Sequence, residues 1–202
     1  MEVEMLVIFF ATGCTPVLES PDVSGADSGV DTTDCTWEAP ENSWHQSTPP
    51  ACLIGEGFDE GEIVPDMRVT DQYGDELSLW QFYGDLVVLD FSTMWCAPCA
   101  VLADGVDETW EEFESEGFMY LTVLSQDVNS NVPDVKDLTQ WAGDHAITAP
   151  VLSDDGTYTG EVIPPGASFP LVMLIGRDMR VEVEEITPAE DATVRSTVQA
   201  AL

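Results

Sequence analysis

From residue 86 onward the apolar positions switch repeatedly between two periods. Leu86-Val87-Val88-Leu89-Asp90-Phe91 is an apolar run broken by one acid, the pattern of a buried strand. Leu102, Val106, Trp110 and Phe113 then recur at the spacing of a helix. Residues 118–125 read as a second strand, and residues 133–145 as a helix with Val135, Leu138 and Trp141 on one face. Leu171-Val172-Met173-Leu174-Ile175 is another apolar run, and residues 180–186 read as a strand. Thr187-Pro188-Ala189-Glu190 has the form of a capping box with proline at the first helical position, predicting a last helix with Val194, Val198 and Leu202 inward. Strands alternating with helices predict an α/β sandwich. Trp80, Trp110 and Trp141 are expected in the core, and His45 and His145 at the surface or at helix caps.

Ahead of residue 62 the pattern fades. Residues 15–61 are rich in Ser, Thr, Pro, Gly, Asp and Glu and carry little periodic apolar content, so most of the stretch is expected to be an acidic flexible linker, with Trp37 and Trp44, between Cys35 and Cys52, suggesting a small packed subregion. The remaining stretch, 62–202, is long enough to bury a core of its own. Charge narrows the partners. Of 202 residues 39 are acidic and 5 basic, a net charge of −34, which repels nucleic acid and anionic lipid surfaces. Asp154-Asp155-Gly156 lacks the alternating ligands of a calcium loop and reads as a turn, and no metal site is expected.

Chemistry concentrates in Trp95-Cys96-Ala97-Pro98-Cys99, directly after the first strand. Two thiols one helical turn apart suit a dithiol/disulfide switch. Cys96 falls at the N-terminus of the following helix, where unpaired N–H groups and the helix dipole favour a thiolate; a free cysteine near pKa 8.5 drops to roughly 3.5–7.5 in such settings. Cys99 is placed to resolve a mixed disulfide, and Pro98 sits where a missing N–H costs little. Half of a zinc site is the competing reading, but there is no second C-x-x-C and no H-x3-5-H. Ala100 after Cys99 excludes c-type haem attachment.

These residues resemble the thioredoxin superfamily and, within it, envelope-anchored redoxins of the TlpA/ResA type. Val-Leu-Asp-Phe running into Trp-Cys-Ala-Pro-Cys is similar to the family's strand and active-site helix, and Ser168-Phe169-Pro170 to its cis-proline loop. Asp66, Asp71 and Gly74 before Leu77-Ser78-Leu79 resemble the subgroup's extra N-terminal hairpin. The resemblance implies a thioredoxin-like three-layer sandwich, a central mixed sheet flanked by helices, over residues 62–202. It implies Cys96 as the attacking thiol, Cys99 as the resolving one, and Asp90 as a buried proton acceptor for Cys99. A strand-end aspartate facing water is the other reading of Asp90. It implies further that Trp95 walls the dithiol, and that Phe169 and cis-Pro170 present backbone to a client; an ordinary core phenylalanine is the alternative for Phe169. No cofactor beyond the redox-active disulfide is expected. Partners would be client proteins bearing thiols or disulfides and an upstream electron donor or acceptor, with the protein a monomer.

Two departures carry consequences. Most relatives place a basic residue after the second cysteine, where this chain has Ala100, so one stabiliser of the thiolate is missing. A peroxiredoxin pattern, P-x-x-x-[ST]-x-x-C, needs proline where Leu89 stands, which makes thiol peroxidase the weaker enzyme reading; a binding module that keeps the fold without catalysis is the non-enzyme alternative. Residues 1–14 resemble a lipoprotein signal, with Ala11-Thr12-Gly13-Cys14 as the lipobox and Cys14 as the lipidated anchor, although no Lys or Arg precedes Arg68. The reading is then of a periplasm-facing lipoprotein of a bacterial envelope, bound to the membrane by its lipid alone. Cys35 and Cys52 remain as a pair. A structural disulfide is expected between them, closing a loop for about 3 kcal/mol; a second redox pair is the other reading.

Overall fold

The computed structural model describes residues 35–163 and 168–202, and the expectations for the signal segment and Cys14 lie outside them. Among the described residues seven strands form one sheet: β1 (Arg68–Asp71), β2 (Glu76–Ser78), β3 (Leu86–Ser92), β4 (Phe118–Leu124), β5 (Val151–Ser153), β6 (Leu171–Ile175) and β7 (Val181–Val183). Their order is β2-β1-β5-β4-β3-β6-β7. β3, β4 and β5 run parallel and the other pairings are antiparallel, so the sheet is mixed. The helices are α1 (Ala97–Ala103), α2 (Val106–Phe113), α3 (Val135–Asp144), α4 (Thr157–Val162) and α5 (Asp191–Ala201).

β3 is buried at every residue, and its side chains alternate between two cores. Leu86 and Val88 face a layer built by Leu102, Val106 and Phe113 of α1–α2, Leu138 and Trp141 of α3, and Val194 and Val198 of α5. Val87, Leu89 and Phe91 face the opposite layer with Met67, Leu77, Trp80, Phe82 and Met173. Tyr158 and Val162 of α4 pack on that second layer. Each fully buried large apolar side chain contributes about 1.5–3 kcal/mol, so the two cores on either side of β3 dominate the stability of the fold. The architecture is the expected three-layer α/β sandwich, with the helix-rich layer on the face of Leu86 and Val88.

The extra hairpin is β1–β2. Its turn closes through Asp71, whose Oδ1 accepts from the backbone N–H groups of Tyr73 and Asp75, both at 2.9 Å, while Gly74 takes φ +87°, a conformation glycine adopts without steric cost.

Residues 35–61 are not laid out as the expected flexible linker. They form a strap held on the hairpin and on the 3-10 turn Leu79–Phe82. The Trp37 indole N–H donates to Ser78 Oγ at 3.0 Å, and that of Trp44 to Asp71 Oδ2 at 2.7 Å. Asn42 Nδ2 donates to the Glu76 carbonyl and to Gln81 Oε1, and the Ser47 N–H to the Gln81 carbonyl. Arg68 Nη2 donates to the Glu38 carbonyl at 2.6 Å. The low apolar content that suggested a linker is offset by two tryptophans that pack on the second core and by side-chain amides that bond to backbone carbonyls.

Three boundaries differ from expectation. The helix read through Leu102–Phe113 is two helices, broken at Gly105, whose position leaves no room for a Cβ: one built there lies 2.5 Å from Asp191 Oδ1. The strand read over 180–186 is only Val181–Val183. The last helix starts at Asp191, not at Pro188; the Thr187–Pro188 bond is cis, and the Glu190 N–H donates to the Pro188 carbonyl in a turn ahead of the helix.

Candidate active site

The site grows from the C-terminal end of β3. Its strand carries the chain out of the sheet at Ser92, and Thr93–Trp95 turn it into α1. Cys96 is the N-cap of α1: its Sγ accepts from the Cys99 N–H at 3.2 Å, supplying a partner to one of the orphan donors of the first turn. Pro98 lies in that turn, as the spacing predicted. Cys96 and Cys99 form a disulfide with Cα atoms 5.2 Å apart. Cys99 is fully buried and Cys96 nearly so, which places Cys96 as the sulfur nearer the surface.

Trp95 stands beside the disulfide, half exposed at 51%, with its indole N–H on Gln126 Oε1 at 2.8 Å. Its ring meets Phe169 edge to face, centroids 6.0 Å apart. Phe169 is partly buried and packs on the cluster that contains Cys96 and Cys99, and the Phe169–Pro170 bond is cis. The loop before β6 is thereby brought against the dithiol, joining segments more than 70 residues apart in sequence.

Asp90 is buried completely, so the strand-end reading does not hold. Strand alternation from Leu86 and Val88 puts it on the sheet face that carries the dithiol. Its neighbours across the sheet are Thr122 on β4 and Val172 on β6. Ser92 Oγ donates to Oδ1 at 2.6 Å, and among the described residues Oδ2 has no hydrogen-bond partner. Burial pushes the carboxyl up to about 7, against the opposing pull of the Ser92 hydrogen bond. Tyr120, on the same face, is also pushed well above its usual range by burial and then by the charge of Asp90. Asp90 and Cys99 thus share one face of the sheet, and a buried carboxyl raised to about 7 is suited to proton exchange.

Sequence reasoning missed Ser92 and Gln126. Ser92 had a signal, since it lies two residues along the same strand face as Asp90; Gln126 had none, because its contact with Trp95 depends on where β4 ends. Val101 adds an exposed apolar residue on α1, next to Ala100. Among the described residues no cluster of three or more His, Cys, Asp or Glu is placed to hold a metal ion. Cys35 and Cys52 lie in the strap as free thiols, apart from this site. Asp154 and Asp155 cap α4, through Tyr158, Thr159 and Thr157 N–H groups.

A mixed sheet with helices packed on it and a disulfide at the N-terminus of the first helix define a thioredoxin-fold protein with a C-x-x-C dithiol. The chain belongs to the AhpC/TSA family, which it matches over residues 61–163. It is 28% identical over 133 residues to the thiol-disulfide oxidoreductase ResA of Bacillus thuringiensis subsp. konkukian, covering 65% of this chain and 71% of that one. It is 26% identical over 98 residues to the thioredoxin-like protein YneN of Bacillus subtilis, and there the match covers 48% of this chain and spans about half of the relative, 55%. Among solved structures, a Chlorobium tepidum protein described as a thiol:disulfide interchange protein DsbE superposes with a TM-score of 0.59 at 21% identity, over 71% of this chain and 97% of that one. The peroxidoxin BcpB of Mycobacterium tuberculosis superposes with 0.58 at 21% identity and the same coverage. The fold alone therefore does not separate thiol-disulfide exchange from peroxide reduction.

Proposed function

We propose that this protein is a thiol-disulfide oxidoreductase that exchanges the Cys96–Cys99 disulfide with thiols or disulfides of client proteins in the cell envelope. The observation that carries the reading is the pairing of a near-surface Cys96 at a helix N-terminus with a buried Cys99 on the same sheet face as Asp90. In the reducing direction the Cys96 thiolate attacks a client disulfide, breaking its S–S bond and releasing one client thiolate. The Cys99 thiolate then attacks Cys96 Sγ, the second client thiolate leaves, and Cys96–Cys99 is re-formed; two electrons pass to the client. Asp90 takes the Cys99 proton in the second step. Oxidation of a dithiol client runs the same steps backwards.

Trp95 and Phe169 form an apolar wall beside the disulfide, and cis-Pro170 leaves the adjoining backbone available for strand-like pairing with an extended client segment. The reaction needs no cofactor beyond the dithiol, and an upstream donor or acceptor of electrons completes the cycle. The lipobox-like Ala11–Cys14 supports attachment by a lipid on Cys14 to the periplasm-facing side of the envelope. Among the described residues no helix is long and apolar enough to cross a membrane.

The test is turnover of a disulfide-bonded protein such as insulin by the reduced protein, alongside consumption of hydrogen peroxide. Insulin reduction lost in Cys96→Ser, with peroxide left untouched, is the expected result. Peroxide consumption that depends on Cys96, without insulin reduction, overturns the reading in favour of a thiol peroxidase.

A further inference from the structure

Two cysteines take no part in this chemistry, and the fold places them side by side. The backbone N–H of Cys52 donates to the carbonyl of Cys35 at 3.2 Å. A direct hydrogen bond between the two residues brings their Cα atoms into the range that a disulfide spans, about 4.4–6.8 Å. The side chains face one another too: the Cys52 thiol is pushed above its ordinary value first by a hydrogen bond with the Cys35 side chain, then by burial and by the charge of Cys35. Both residues are partly exposed and line an open cavity of about 460 Å³ with Trp37, Asp66, Arg68 and Trp80.

The backbone at Cys52 is informative. Leu53 N–H donates to the Pro50 carbonyl, closing a turn in which Cys52 holds φ +61°. That left-handed conformation favours glycine or asparagine, and a residue with a Cβ is held there against a steric cost. The turn holds Cys52 where its backbone N–H meets the Cys35 carbonyl. Between the two lie the strap residues that anchor to the domain: Trp37 on Ser78, Glu38 on Arg68, Asn42 on Gln81 and Trp44 on Asp71.

We propose that Cys35 and Cys52 form a second disulfide, made by thiol-disulfide exchange, that clasps the strap closed on the hairpin β1–β2 and the 3-10 turn. In this step one thiolate of the pair attacks a disulfide of an oxidised partner, such as glutathione disulfide, and one partner thiol leaves. The other thiolate displaces the second partner thiol. Two protons and two electrons leave the Cys35/Cys52 pair, and one partner disulfide becomes two thiols. The open cavity lets the oxidised partner's disulfide reach both sulfurs, which a buried pair does not allow.

The experiment equilibrates the full chain with glutathione disulfide and maps its peptides without reduction. A linked Cys35–Cys52 peptide pair is expected; two free thiols, or glutathione attached separately to each, overturns the proposal. In a Cys96→Ser/Cys99→Ser background, which removes the other disulfide, reductant should lower Tm by several degrees, and adding Cys35→Ser and Cys52→Ser should abolish that dependence. A Tm indifferent to reductant overturns the clasp. Cys35→Ser/Cys52→Ser in the otherwise native chain should keep its insulin-reduction rate well below Tm; a fall to the Cys96→Ser level assigns the pair to electron relay and overturns the clasp as well.

Discussion

Ser92 donates its hydroxyl hydrogen to Oδ1 of Asp90 across 2.6 Å, from two residues further along the same face of β3, with both side chains fully buried. This hydrogen bond favours the ionised carboxylate and works against the burial that raises it. Ser92→Ala removes the donor and leaves burial unopposed. A hydrogen bond to a charged group is worth about 1.5–3 kcal/mol, and 1.36 kcal/mol moves a pKa by one, so the acidic limb of the turnover profile should move up by about one to two pH units. Insulin-reduction rates measured from pH 5 to 9 check this, and an unmoved limb assigns Ser92 a packing role only.

Asp90→Asn keeps the shape of the side chain and removes its titration. Initial attack by Cys96 does not use this carboxyl, so formation of the mixed disulfide should proceed at the native rate. Its resolution by Cys99 should slow by about a hundredfold, the low side of the 10²–10⁴ that a general base contributes. Rapid-quench trapping of the mixed disulfide separates the two steps. Equal accumulation in both proteins counts against proton transfer through Asp90.

The same substitution changes the pH dependence of stability. Asp90 has a pKa of about 7 in the fold, against 3.8 as its ordinary value, so between those pH values the folded state binds the proton more tightly than the unfolded one. Stability from this group is fully present below about pH 4 and is lost as pH rises through about 7. The difference corresponds to about 4 kcal/mol. Asp90→Asn should therefore be more stable than the native protein at pH 8 by up to that amount and lose the advantage toward pH 4, as urea denaturation at the two pH values will show.

The parts legible in the sequence were those set by local chemistry. Leu86–Phe91 and Leu171–Ile175 showed themselves by apolar continuity, and Trp95–Cys99 by the spacing that puts two sulfurs on one helical turn. Trp37 and Trp44 hinted at packing in the strap, but where it docks was hidden, because Trp37, Asn42 and Trp44 are held by partners more than 25 residues away, on Ser78, Gln81 and Asp71, and nothing periodic announces such contacts. The break between α1 and α2 was hidden for a related reason. Leu102, Val106, Trp110 and Phe113 keep helical spacing through Gly105, and the approach of Asp191 that requires glycine there is a tertiary fact.

Gly105→Ala tests that approach. The added Cβ meets the Asp191 Oδ1, Cγ and Cβ atoms at 2.5, 2.7 and 3.0 Å, so rotation of the carboxylate alone does not clear it. That carboxylate is held by the Thr109 hydroxyl at 2.8 Å and by Arg195. The first turn of α5 must shift, at about 1–3 kcal/mol for an overpacked site. Chemical denaturation should show the loss, while Gly143→Ala, where a Cβ meets nothing within 4 Å among the described residues, should not lower stability.

Ala100 bears on the redox potential of the dithiol. It follows Cys99 in the first turns of α1, its N–H donates to the Cys96 carbonyl at 3.1 Å, and no basic residue lies in that helix. The Cys96 thiolate of the reduced form is then supported by the helix N-terminus and the Cys99 N–H, with no side-chain cation on α1. Ala100→Lys places an ammonium on this partly exposed position, and an exposed charge pair contributes about 0.2–1 kcal/mol. Stabilising the reduced thiolate makes the disulfide easier to reduce, so the potential should rise by about 5–20 mV, since 30 mV corresponds to about 1.4 kcal/mol for two electrons. The shift should shrink at high salt, because the added charge is solvent-exposed and screened. Equilibration against glutathione at low and high ionic strength measures both effects; a potential that falls, or one that rises equally at both salt concentrations, excludes the missing cation as the cause.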